Sequence, residues 1–431
     1  MTTPEAPSTP TAESLEPAVT RDEPRNIAAL ALNAVLIRIG WIFKTESVII
    51  PAFVDSVAGA GWLRGLLPIL NRLGQSVPPF LLSRRLKITP LKKRAMLLAT
   101  VGMALPFLAL AAGLGSLGPG PRPWLPPAFL ALYTLFFCFL GLLNLAHGTL
   151  QGKLVRPQRR GRLLALSTIG GSLPAVACAW WLLPDWLEAP GVGGWAAIFG
   201  FAGSCFAVSA LCLLAVREPR DDYHETPSRL VEQFRGAWQV LRTDTNYRRL
   251  VVVGVLFTTS LILIPHYQAL ARERLDLAGG RLMLWVVVQN LSVAAASAFV
   301  GPMADRYGNR LSLRLVVFAT AAVPPLALVL SHLEPELGRG LFPLVFVGIG
   351  VLPIGLRLLV NYTLEICPES EHTRYLSISQ LCAAAVLLSS PAFGLAIDAT
   401  DFEPVFLVVT ALIASGGVLT FRLAEPRSQG T

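Results

Sequence analysis

Charge is what this sequence lacks most. Only 15% of its 431 residues are Asp, Glu, Lys or Arg, where a water-soluble domain of this length carries roughly 25%. A surface facing water on all sides is thereby excluded. Zinc-type spacing is missing too: none of Cys138, Cys178, Cys205, Cys212, Cys367 and Cys382 forms a C-x-x-C pair, and all lie in or beside apolar runs, as small packing residues do. No H-E-x-x-H, no G-x-S-x-G and no cluster of Asp and His suggests a membrane-embedded enzyme. Residues 1–26 are rich in Pro, Thr, Glu and Ala and lack an apolar core. They read as a disordered tail, not as a cleaved leader.

What is present in their place is apolar length. Hydrophobic residues make up 53% of the chain. A membrane-crossing helix needs about 20 mainly apolar residues, and twelve such runs are found: 29–57, 62–83, 94–115, 127–152, 163–183, 194–216, 249–271, 282–304, 313–331, 340–366, 375–397 and 403–423. Barrel strands are shorter and alternate in polarity. The expected fold is therefore an all-α integral membrane protein with twelve transmembrane helices. The formal net charge of +9 does not point to nucleic acid, because the basic residues sit in short clusters between apolar runs.

Those clusters set an orientation. With the N-terminus inside, 26 Lys and Arg residues fall on inner loops and tails, and six (Arg64, Arg122, Arg272, Arg274, Arg281 and Arg339) on outer ends. This is the positive-inside pattern. It predicts a multi-pass protein of the inner (cytoplasmic) membrane with both termini cytoplasmic. Trp62, Trp124, Trp181, Trp186 and Trp195 gather at predicted outer ends, as an aromatic belt does.

The chain divides at its longest inner loop. A six-helix half over 27–217 is followed by a linker at 218–248, a second half at 249–424 and a short tail at 425–431. In the linker Leu230, Phe234, Trp238 and Leu241 recur at helical spacing after Ser228, which predicts an amphipathic helix. The halves echo each other: the sixth span ends in Arg217-Glu218-Pro219-Arg220 and the twelfth in Ala424-Glu425-Pro426-Arg427. Two pseudo-symmetric bundles from a duplicated unit are expected.

Polar residues inside the spans mark candidate sites, since a charge in hydrocarbon costs at least about 3 kcal/mol. The first span carries Arg38, Lys44 and Glu46, and the second Asn71, Arg72 and Gln75. The fourth carries His147, the seventh His266, the eighth Gln289 and Asn290, and the tenth Arg357 and Asn361. The third, sixth, ninth and twelfth spans have no central charge. These four should face lipid while the other eight enclose something polar. On a continuous helix Lys44 and Glu46 point about 200° apart, so Arg72 is the expected partner of Glu46. Lys44, Arg72 and Arg357 favour an anionic or zwitterionic solute. Arg38 and Arg357 each choose between capturing a solute and snorkelling toward the inner face. His147 and His266 are candidate proton carriers, and Glu46 is the better one because burial raises a carboxyl pKa.

After the eighth span comes Gly301-Pro302-Met303-Ala304-Asp305-Arg306-Tyr307-Gly308-Asn309-Arg310. It resembles the signature loop G-x-x-x-D-R-x-G-x-R of the major facilitator superfamily, and the likeness covers nearly the whole chain. The resemblance implies alternating access by rocking of two halves, with the first, fourth, seventh and tenth helices lining the cavity. It also places Gly301, Asp305, Arg306, Gly308 and Arg310 in an inner gate and not in the substrate site. The corresponding loop after the second span departs from the pattern, with Ser83 where the aspartate would stand. Gly170, Gly171 and Pro174 only approximate the family's antiporter signature. The expected function is a secondary transporter of a small solute, driven by protons, acting as a monomer in the lipid bilayer without a cofactor, a metal or nucleic acid. A multidrug exporter of the same fold and a non-transporting membrane sensor are the alternatives.

Overall fold

The computed structural model describes residues 12–116, 123–220, 239–276, 282–367 and 372–425. Within them the chain forms twelve helical spans and no strand. The first half comprises α1 (Ala12–Ile42, continuing as Ile49–Val57), α2 (Gly61–Ile88), α3 (Lys92–Gly115), α4 (Leu125–Leu154), α5 (Pro157–Glu188) and α6 (Gly193–Cys212). The second comprises α7 (Thr245–Thr258 and Ser260–Leu275), α8 (Leu282–Tyr307), α9 (Asn309–Ala321 and Val323–Ser331), α10 (Pro335–Leu341 and Pro343–Ile366), α11 (His372–Leu387 and Ser390–Ala399) and α12 (Phe402–Leu419). Ten of these spans are long and apolar enough to cross a membrane by composition alone.

A helix can break inside hydrocarbon only where its freed backbone groups find other partners. The interruptions obey this. At the α7 break Thr259 Oγ1 donates to the Leu256 carbonyl at 2.6 Å and Ser260 Oγ to Phe257 at 2.7 Å. At the α11 break Ser389 Oγ donates to Val386 at 2.7 Å, two residues before Pro391.

Each half packs on itself. In the first, α3 lies on α4 and α6, α2 on α4, and α1 on α5 and α6. Its centre is aromatic: Phe107 meets Phe136 at 4.9 Å, and Phe53 meets both Phe129 and Phe199 at 4.9 Å. In the second, Trp285 stacks on Phe346 at 4.7 Å. Between halves, α2 packs on α11, α5 on α8, and α7 on α1 and α2. The four spans without central charge present large apolar side chains outward, among them Leu105, Leu211, Val329 and Leu407.

The repeat seen in the sequence reappears as hydrogen bonds at the face where the described chain begins and ends, the terminal face. In the first half Asn26 Oδ1 accepts from the Arg217 N–H at 2.8 Å, and Lys93 Nζ donates to the Val216 carbonyl at 2.8 Å. Arg25 Nε donates to Ala215 at 2.9 Å. In the second half Asn246 Oδ1 accepts from Ala424 at 2.9 Å. Arg310 donates to the Leu423 carbonyl at 3.1 Å, and Arg249 to Arg422 at 2.9 Å. The two glutamates of the echoed motif act alike. Buried Glu218 accepts from the Lys92 and Lys93 amides at the start of α3 and pairs with Lys153 at 3.1 Å. Glu425 lies against Gly308, which precedes α9, and pairs with Arg310 at 3.0 Å. A carboxylate at a helix N-terminus is favoured by the exposed N–H groups there.

Of the expected disordered tail over 1–26, residues 1–11 lie outside the described residues, and from Ala12 onward the chain belongs to α1. Buried Glu23 pairs with Arg156 at 2.8 Å and Arg159 at 3.2 Å, and Asn26 is fixed as above. Those contacts hold α1 at Glu23 against Arg156 and Arg159 and at Asn26 against the chain leaving α6. Most of the linker's amphipathic stretch lies outside the described residues. Of the aromatic belt, Trp62, Trp124 and Trp181 are exposed. Trp195 instead packs on Phe53 at 5.4 Å and Trp186 on Phe43 at 5.8 Å.

Candidate substrate cavity

The first span does not stay helical through its middle. Between Ile42 and Ile49 it turns, with the Lys44 N–H reaching the Trp41 carbonyl at 3.1 Å and the Ile50 N–H reaching Thr45 at 3.0 Å. The turn brings Lys44 Nζ to 2.8 Å from Glu46. The 200° separation of an intact helix no longer applies, and the expected Glu46–Arg72 pair is replaced by Lys44–Glu46. Lys44 is fully buried, and its ammonium stands 3.2 Å from the Trp41 ring centroid, 4.6 Å from Phe137 and 4.7 Å from Phe136. A buried ammonium is tolerated only when paired, and ring faces add an attraction of about 2 kcal/mol in a desolvated setting. Glu46 also accepts from the Asn71 amide, whose own oxygen accepts from Gln75.

Toward the terminal face lie two cavities, one lined from both halves and one lined by residues of the first half. One, of about 370 Å³, is lined by Arg72 from α2, Thr258 from α7, Arg357 and Asn361 from α10, and Ser379 and Gln380 from α11. The other, of about 350 Å³, is lined by Asn33, Arg38 and Trp41 from α1, Gln75 from α2, and Asn144 and His147 from α4. These volumes fit a small organic solute.

Three polar contacts bridge the halves beside the cavities. Arg38 donates to Asn290 Oδ1 at 3.2 Å, Ser47 donates to the Gln289 amide oxygen, and Arg72 donates to the Gln380 amide oxygen. Among the described residues no carboxylate lies within ion-pair distance of Arg38, Arg72 or Arg357. Their charges face the cavities without an internal counter-ion.

Of the residues singled out by sequence, Arg38, Arg72, His147, Arg357 and Asn361 come to the cavity walls. Gln289 and Asn290 come to the bridge between halves, and Lys44 and Glu46 to a buried site beside it. His266 does not join them. It is fully buried near Arg64, toward the opposite face, and among the described residues neither ring nitrogen has a hydrogen-bond partner. Gln380 was not anticipated. Its signal was the dipeptide Ser379-Gln380, with Ser377 two residues before, inside an apolar span.

The opposite face is closed. Asp398, at the end of α11, accepts from the Gly61 N–H at 2.7 Å and the Trp62 N–H at 3.0 Å, capping α2 from the other half. Arg64 pairs with Asp55 at 2.7 Å and reaches Glu273 of α7 at 3.8 Å. The helices touch backbone to backbone: a Cβ on Gly65 would stand 2.7 Å from the Ser390 carbonyl, so only glycine permits the approach.

The Gly301–Arg310 loop, expected to form an inner gate, turns at Gly308, whose φ of +89° is a conformation L side chains rarely adopt. Arg310 is engaged within its own half through Glu425 and Leu423, and Arg306 is exposed. The side chains of Asp305 and Ser83 lie outside the described residues.

No curated protein matches the sequence. Several solved structures share the fold. A crystal structure of the nucleoside transporter NupG aligns over 93% of this chain and 100% of that one, with a TM-score of 0.70 at 11% identity. A D-xylose–proton symporter aligns over 93% and 99%, with a TM-score of 0.70 at 14% identity. A bacterial homolog of the human lysosomal transporter Spinster, in an inward-facing and unoccupied conformation, aligns over 93% and 96%, with a TM-score of 0.66 at 12% identity. The family model described as Major Facilitator Superfamily matches residues 30–356 and again 270–431. Twelve spans in two repeated halves, together with that match, place the chain in the Major Facilitator Superfamily of membrane transporters.

Proposed function

We propose that the chain is a secondary active transporter that carries a small organic anion or zwitterion by alternating access, coupled to protons. The observation that carries the substrate class is the set of three arginines, Arg38, Arg72 and Arg357, around cavities in which no carboxylate balances them. A guanidinium within a span costs at least about 3 kcal/mol. Two on one cavity, Arg72 and Arg357, and a third, Arg38, on the other are accounted for by a ligand that supplies the missing negative charge. A multidrug exporter would want an aromatic-rich lining, whereas of the residues lining the two cavities Trp41 alone is a Phe, Tyr or Trp.

Alternating access is supported by the unequal ends. The halves seal at the face opposite the termini, while the cavities lie toward the terminal face. With termini and basic loops in the cytoplasm, this is an inward-open state. A solute shifts the balance between states only through different affinity for each, and arginines from both halves supply such a difference. Proton coupling is assigned to the Lys44–Glu46 pair, which lies beside the bridge between halves and carries one exchangeable charge of each sign. The same fold serving a D-xylose–proton symporter agrees with that assignment.

The test is a thermal-shift screen of the purified protein against anionic, zwitterionic, neutral and cationic metabolites. Stabilisation by anions or zwitterions, reduced in Arg357→Ala, is expected. Stabilisation by cationic or apolar compounds alone would remove this reading and favour drug export.

A further inference from the structure

We infer that the transported solute carries at least two negative charges, as a dicarboxylate or a phosphate monoester does, and that it displaces two amide side chains which now occupy the arginines. This rests on the anion reading above and sharpens it.

The inference begins with the arginines' present partners. Arg38 in the first half donates to the side-chain oxygen of Asn290 in the second. Arg72 in the first half donates to the side-chain oxygen and the carbonyl of Gln380 in the second. Both acceptors are neutral. A hydrogen bond from guanidinium to an ionised oxygen is roughly twice as strong as one between neutral groups, so an oxyanion entering the cavity outcompetes both amides. The Arg72 Nε is a further donor, buried and without a partner among the described residues.

Next comes the charge count. Lys44 and Glu46 neutralise each other. That leaves three guanidinium charges, and Arg38 and Arg357 stand near enough for theirs to repel. One carboxylate satisfies one planar guanidinium fork. A single negative charge would leave two arginines uncompensated in the span, and an ammonium on a zwitterion would add to the repulsion. Two charges engage arginines of both halves at once.

The consequence is mechanical. Arg38–Asn290 and Arg72–Gln380 are also bonds between halves. A dianion that takes the arginines breaks both bonds and replaces them with its own bridge to Arg357. Occupancy thus exchanges a contact made in the inward-open state for one that the closed state can keep.

Melting temperature and calorimetric affinity, measured on the intact protein in detergent, test this with succinate, phenyl phosphate, butyrate, alanine and succinamide as probes. Succinate or phenyl phosphate should bind more tightly than butyrate or alanine, and succinamide should not bind. Arg72→Gln and Arg357→Gln should each weaken the dianion by about tenfold to a hundredfold, as loss of a charged hydrogen bond does. Gln380→Ala and Asn290→Ala keep every arginine and should tighten it severalfold, which a merely structural role would not produce. Whichever dianion binds better separates the carboxylate from the phosphate class. Arginine-dependent binding of alanine or butyrate as tight as that of the dianions would overturn the two-charge claim while leaving the anion reading standing. Weaker dianion binding in Gln380→Ala and Asn290→Ala would overturn the displacement step. Binding of succinamide alone, or of no probe, would overturn the inference, and preference for the neutral amide would also remove the anion reading.

Discussion

At the residue scale the deciding feature is the ion pair inside the first span. Lys44 is fully buried against three aromatic rings with Glu46 at 2.8 Å. Removing one partner of a buried pair leaves an uncompensated charge, whereas removing both does not. Glu46→Gln should therefore lower the melting temperature more than the double variant Lys44→Met with Glu46→Gln. The cycle should give a coupling of about 1–3 kcal/mol, read by thermal unfolding in detergent. Strict additivity would mean that the pair contributes nothing as a pair. Lys44 and Glu46 were legible as candidates because charges in apolar runs stand out. Their pairing was not, because periodicity assumes an unbroken helix and nothing in Phe43–Val48 announces a turn.

The same limit applies to Gln380. An uncharged amide in an apolar span gives a weak signal, and its importance comes only from α2 packing on α11. His266 erred the other way. A histidine in a span reads as a proton carrier, yet this one is walled off near Arg64 and not at the cavity.

At the element scale α2 of the first half packs on α11 of the second. Gly65 lets the two backbones touch, and Asp398 caps α2 from the other half. Valine at position 65 meets a carbonyl that cannot move aside as a side chain tip would. Gly65→Val should part the sealed face and raise the reactivity of a Ser390→Cys probe toward an impermeant maleimide, in a background without the native cysteines. Ser390 is fully buried in the sealed form. An unchanged labelling rate would show that the face is held elsewhere. Asp398→Asn, which keeps one acceptor oxygen and loses the charge, should raise labelling by less. The Gly61–Gly65 spacing was visible in the sequence, but its partner could not be named without knowing which helices neighbour each other. The glutamates after α6 and α12 were more legible. Their matched surroundings place Glu218 and Glu425 at equivalent helix starts, as the echoed motif suggested.

At the scale of the whole molecule, twelve spans and two halves followed from hydropathy, and the Gly301–Arg310 loop tied them to a family. What hydropathy could not supply is the state of the molecule. Closure at one end is a relation between halves more than 300 residues apart in sequence, as between Gly61 and Asp398, and no local pattern encodes it. The expected inner gate shows this well: Arg310 is spent on Glu425 in its own half, as suits an open terminal face.

The central claim is that arginines of both halves carry an anion across the membrane. Uptake of a labelled anion found by the thermal-shift screen, measured in proteoliposomes with an imposed proton gradient, tests it most directly. Wild-type protein should accumulate the anion above its outside concentration and lose that accumulation when the gradient is collapsed, and Arg357→Ala should take up at least tenfold less, the equivalent of about 1.4 kcal/mol. Equal uptake by wild type and Arg357→Ala, or accumulation indifferent to the proton gradient, would contradict the account.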